Sequence, residues 1–160
     1  MRRAYAGVTT VEFAIIGTLL MIVVFGIIEM GRALYVVNVL TEAARRGARM
    51  AAVCPVGDPK PAQVAVFDTG GGTSSVVSGF TESNVLVQYL DVSGNNLANP
   101  TASFGNIRYV RVSIGTPPAT PFTMPLFIPV IAPSLNLSGF AATVPRESLG
   151  VPRTGTVQPC

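Results

Sequence analysis

Residues 13–28 form an unbroken run without a charged side chain, Phe-Ala-Ile-Ile-Gly-Thr-Leu-Leu-Met-Ile-Val-Val-Phe-Gly-Ile-Ile. As a helix these sixteen residues rise only about 24 Å, short of the ~30 Å of a hydrocarbon core. Counting back to Val8 gives about 31 Å, which fits, but brings Glu12 inside the boundary. The pattern then changes. From Arg32 to Ala52 there is no proline. Small or apolar residues recur at Ala33, Val37, Leu40, Ala44, Ala48 and Ala51, while Glu42, Arg45, Arg46 and Arg49 share one solvated face. The spacing predicts one helix over about residues 8–53, roughly 65–70 Å long. Its first half is apolar all round and its second half amphipathic. Gly17, Gly26, Gly31 and Gly47 are weak points within it, and Pro55 and Gly57 end it.

Residues 55–83 are rich in Gly, Pro, Ser and Thr and predict loop, with a short element near residues 63–67. Three strand-like runs follow, over residues 84–92, 106–114 and 135–144. The first two alternate cleanly, and Ser93-Gly94-Asn95-Asn96 between them is strong turn chemistry. Residues 117–133 hold six prolines among Phe122, Met124, Leu126 and Phe127; they predict an irregular apolar connection, because proline is excluded from a central strand. The end, residues 145–160, is expected to be extended. The fold class expected is α+β: a long N-terminal helix with a small antiparallel domain of about three strands packed on its outer half. The divisions expected are residues 8–28 across a membrane, 29–53 amphipathic, and 54–160 a β domain with Pro/Gly-rich loops.

Composition narrows the chemistry. Charged residues make up 12% of the 160, against roughly 25% in soluble domains. Arg2 and Arg3 supply two units of the net charge of +3, so no clustered basic face argues for nucleic acid. There is no histidine, which removes the commonest general base and metal ligand. The two cysteines, Cys54 and Cys160, form no C-x-x-C. Gly70-Gly71-Gly72 lacks the Lys-Ser/Thr of a phosphate loop. No catalytic constellation, cofactor site or metal site is expected, and the chain does not read as an enzyme.

The N-terminal pattern of basic residues, glycine, glutamate and apolar run has two plain explanations. A secretory signal peptide would have a shorter apolar stretch and an A-x-A site at its far end. A simple single-pass anchor has no use for Glu12, since a charge within a membrane helix costs about 2.5–3.5 kcal/mol on insertion scales. The residues Gly7-Val-Thr-Thr-Val-Glu12-Phe13 resemble the class III signal of type IV pilin-like proteins. The longer set Val11-Glu12-Phe13-Ala14, Phe25-Gly26-Ile27-Ile28-Glu29-Met30-Gly31-Arg32-Ala33-Leu34-Tyr35 and Ala43-Ala44-Arg45-Arg46-Gly47-Ala48-Arg49 resembles the TadE-like pseudopilins of tight-adherence (Flp) pilus systems. Tyr109-Val110-Arg111-Val112 and Arg146-Glu147 are weaker echoes of the same family.

That resemblance implies a leader of residues 1–7, cut between Gly7 and Val8 by a membrane prepilin peptidase. It implies a minor pseudopilin that is a structural or assembly component of pilus biogenesis. The partners implied are the peptidase, other pseudopilins or pilins, the inner-membrane assembly platform and membrane lipid. The N-terminus would lie inside and the C-terminal domain outside the inner membrane; the charges alone do not decide, because Arg32, Arg45 and Arg46 flank the other end of the span. The alternative function is an unprocessed membrane-anchored envelope binding module or adhesin, with residues 117–133 as its contact surface.

Glu12 lies one helical turn from the amine that cleavage would create on Val8, and Phe13 follows it. The carboxylate can pair with its own amine or with a neighbouring subunit's, or sit solvated at headgroup level. Glu29 and Arg32, spaced i, i+3, form either a local ion pair or a docking contact with another pseudopilin. Arg45, Arg46 and Arg49 are expected on a solvated face. In an oxidising compartment Cys54 and Cys160 would form a disulfide tying the tail to the end of the helix; two unrelated thiols are the competing reading.

Overall fold

A computed structural model describes residues 5–68, 70, 72–127, 133–151 and 155–160. Helix α1 runs without interruption over Tyr5–Val53 and a short helix α2 over Lys60–Ala65. Five strands follow: β1 (Val85–Leu90), β2 (Tyr109–Ile114), β3 (Phe122–Pro125), β4 (Ser134–Leu137) and β5 (Phe140–Pro145). The fold is α+β, as the pattern predicts. The helix begins a turn before Val8, and the glycines within it do not break it.

Strands β1, β2 and β5 form an antiparallel sheet in the order β1-β2-β5, with Val87 opposite Val112 and Val112 opposite Ala142. Strands β3 and β4 form a separate antiparallel ribbon, with Phe122 opposite Leu137 and Met124 opposite Leu135. Two expectations are corrected here. The proline-rich stretch contains a strand, because Phe122 and Met124 alternate inward while Pro125 closes the strand's end, where a missing N–H is tolerated. The third expected strand is two: Ser138-Gly139 turns the chain between ribbon and sheet.

The outer half of α1 is the spine of the core. Leu40, Ala43, Ala48 and Ala51 are fully buried, while Glu42, Arg45, Arg46 and Arg49 stay exposed, as the spacing predicts. Two apolar clusters lie along it. Nearer the apolar half, Val36, Leu40, Ala43 and Ala44 pack with Val66, Phe80, Ile114, Phe122 and Met124. Phe80 and Phe122 meet edge to face with ring centroids 5.8 Å apart. Toward the helix end, Ala48 and Ala51 pack with Tyr89, Ile107, Val110, Val112 and Leu149.

The small side chains allow this closeness. A Cβ on Gly47 would come 2.9 Å from Ala65 Cβ and 3.1 Å from Val112 Cγ1. Gly47 is therefore the point where α2 and β2 approach α1, and not the weak point its helix propensity suggests.

The last turn of α1 leaves carbonyls that need donors. The chain after β5 supplies them. The N–H groups of Glu147 and Leu149 donate to the Ala52 carbonyl at 3.1 and 3.2 Å, and the Gly150 N–H and the Ser148 hydroxyl donate to the Val53 carbonyl at 2.6 and 3.2 Å. Gly150 adopts φ +75°, and a Cβ there would lie 2.8 Å from the nitrogen of Pro55.

Candidate functional site

The two halves of α1 differ in burial as sharply as in composition. From Val8 to Tyr35 the large apolar side chains are 41–77% exposed, Phe13 most of all. Gly7–Val53 is the stretch long and apolar enough to cross a membrane. The run before Glu29 is exposed along its length. The Gly7–Val8 bond lies within the helix and is exposed.

Glu12 is exposed on this half and makes no ion pair among the described residues. Phe13, Ala14, Gly17, Thr18 and Met21 border a shallow apolar groove along the helix beside it. Thr18 returns its hydroxyl to the Ala14 carbonyl at 2.8 Å, so it exposes no free donor to the apolar surroundings.

Glu29 and Arg32 do come together, at 3.0 Å, and they also hold a distant part of the chain. Arg32 Nη2 donates to the Pro125 carbonyl at 2.9 Å, and its guanidinium lies 4.0 Å from the centroid of the Phe127 ring. The Phe127 N–H donates to Glu29 Oε2 at 3.0 Å. The i, i+3 pair is thus a latch between the edge of the apolar helix and the end of β3. Its spacing was visible in the sequence, but its partners lie more than 90 residues away and were not. The aromatic at Phe127 among prolines was the available signal.

The arginine face is not wholly solvated: Arg46 lies 4.6 Å from the Phe67 ring centroid. Arg146 reaches back to the Phe104 carbonyl at 3.0 Å, which fixes the end of β5 against the loop before β2. Cys54 and Cys160 are joined by a disulfide, with Cα atoms 5.6 Å apart. The backbone N–H of Cys160 also donates to Asp58 Oδ2 at 3.1 Å. The described residues contain no cluster of three or more metal-ligating side chains.

No curated protein and no solved structure matches the chain. A family model described as TadE-like protein matches residues 7–49. The match takes in Gly7, Glu12, the whole exposed apolar half, the Glu29–Arg32 latch and the first buried turns down to Arg49. The likeness to TadE-like proteins thus covers residues 7–49, the exposed half of α1 and the start of its buried half.

Proposed function

We propose that the chain is a minor pseudopilin of a Tad (Flp) pilus, a structural and assembly component without chemistry of its own. A prepilin peptidase removes residues 1–7 between Gly7 and Val8. Residues 8–28 then span the inner membrane, and residues 54–160 lie outside it, tied to the helix end by Cys54–Cys160. The observation that carries this reading is the exposed apolar half of α1 with a carboxylate at Glu12. A charge in that position is costly unless a partner neutralises it. The amine freed on Val8, its own or a neighbour's, is that partner. In a low-dielectric assembly the attraction is far stronger than in water. The other partners are further pseudopilins or pilins and the assembly platform, which meet the groove beside Phe13.

The test is Glu12→Leu. Cleavage and membrane insertion should persist, since insertion is relieved of about 2.5–3.5 kcal/mol. Co-purification with partner pseudopilins and the number of surface pili should fall, with Glu12→Asp intermediate. Assembly equal to the parent at matched protein levels would refute the charge pairing.

A further inference from the structure

The end of the outer domain nearest the apolar helix carries an aromatic that the core does not use. Phe122 and Met124 of β3 are 2% exposed, but Phe127, just beyond, is 65% exposed. It is nevertheless held in place. Its N–H is bonded to Glu29, its ring lies under the Arg32 guanidinium, and the preceding Pro125 carbonyl accepts from Arg32. The two charges that hold it neutralise each other at 3.0 Å, which lowers the cost of moving that corner out of bulk water.

The latch also fixes the height of the ring. One turn inward from Glu29 and Arg32 on the same helix face lie Phe25 and Ile28, each 49% exposed. Residues 8–28 rise about 31 Å, the thickness of the hydrocarbon layer. The next turn, Glu29–Arg32, therefore lies in the headgroup layer, where interfacial elements seat apolar side chains about 5–10 Å deep at the acyl boundary. Phe127 is thus held at the level of Glu29 and Arg32, one turn beyond the exposed Phe25 and Ile28.

We propose that Phe127, just beyond the end of β3, is a second membrane contact, seated in the outer leaflet beside the exit of α1. The Glu29–Arg32 latch holds it there, so the outer domain stands on the bilayer at two points and does not swing on the helix alone. The proposal rests on α1 spanning the bilayer, and its test separates the two.

The chain has no tryptophan, so single substitutions give clean fluorescent probes. Full-length Phe127→Trp, Leu19→Trp and Val92→Trp proteins would be placed in phosphatidylethanolamine/phosphatidylglycerol vesicles. Some vesicles would carry lipids brominated near the headgroup end of the acyl chain, others near its methyl end. Leu19 lies mid-span at 60% exposure, and Val92 follows β1 at the far end of the domain at 75% exposure. The expected result is blue-shifted emission for Phe127→Trp, quenched more by shallow than by deep bromines. Leu19→Trp should show the reverse order and Val92→Trp no quenching. If Phe127→Trp is as unquenched as Val92→Trp while Leu19→Trp is quenched, the second contact is refuted and the span stands. If none is quenched, both fall. A blue shift that needs high protein-to-lipid ratio and resists bromine would assign the surface to a second copy of the chain and overturn the lipid contact.

Discussion

The two halves of α1 are built from one continuous helix but answer to different solvents. The large apolar side chains of residues 8–35 are exposed; residues 36–53 bury alanine, glycine and leucine against the sheet and expose charge. In the outer half every buried side chain has a neighbour within the chain. In the inner half the Glu29–Arg32 pair reaches Pro125 and Phe127, while the large apolar side chains before it stay exposed. On the proposed function, the difference makes stability and assembly separable along this helix. Mutations in the outer half should act on folding, and mutations in the inner half on insertion and partnership.

The sharpest test of that separation is a pair of leucines. Leu40 is 0% exposed and Leu20 is 59% exposed. Leu40→Ala should destabilise the outer domain by about 2–5 kcal/mol, from lost burial plus the cavity left behind. Leu20→Ala should leave the unfolding free energy of the same domain in detergent within about 0.5 kcal/mol of the parent. Equal effects would erase the comparison.

Glycines give a second, smaller contrast. Gly47→Ala must displace Ala65 or Val112 and should cost about 1–3 kcal/mol, partly offset by the roughly 1 kcal/mol alanine gains as a helix former. Gly26→Ala meets nothing within 4 Å and should leave the thermal transition of the domain unchanged. A domain stabilised by Gly47→Ala would show that α2 is not closely packed on α1.

The smallest effect lies at the far tip, in the turn after β1. The Asn95 N–H first, then the Asn95 side-chain amide and the N–H groups of Ser93 and Gly94, hold the Asp91 carboxyl below the usual aspartate range. A depressed folded value means the turn's extra stability is present above the ordinary aspartate pKa and is lost as pH falls through the folded one. Protection of the Asn95 amide, relative to its intrinsic exchange rate, should therefore fall on acidification through that range, and Asp91→Asn should remove that change in protection.

Much of this architecture was legible locally. The apolar run, the face of Glu42, Arg45, Arg46 and Arg49, and the alternation of β1 and β2 are periodicities within one element, and the structure follows them. What escaped depends on contacts between distant residues. Prolines at 121 and 125 hid β3, although the strand needs only Phe122 and Met124 to point inward. Gly47 looked like a defect because propensity does not record what packs against it. Glu29 and Arg32 were visible as a pair, but their hold on Pro125 and Phe127 appears only once β3 folds back to the helix. Gly7, Val8, Glu12 and Phe13 were legible as a motif because they stand close together in the chain, within the residues that match the TadE-like family model.

The central claim is that the inner half of α1 is a processed assembly segment, and the N-terminus of the mature protein tests it most directly. Intact mass and N-terminal sequencing should be compared for protein made with and without its cognate prepilin peptidase. The account predicts a chain beginning at Val8 when the peptidase is present and the full leader when it is absent. A membrane-inserted protein that keeps residues 1–7 in both cases would contradict it, and would leave a plain membrane-anchored envelope domain in its place.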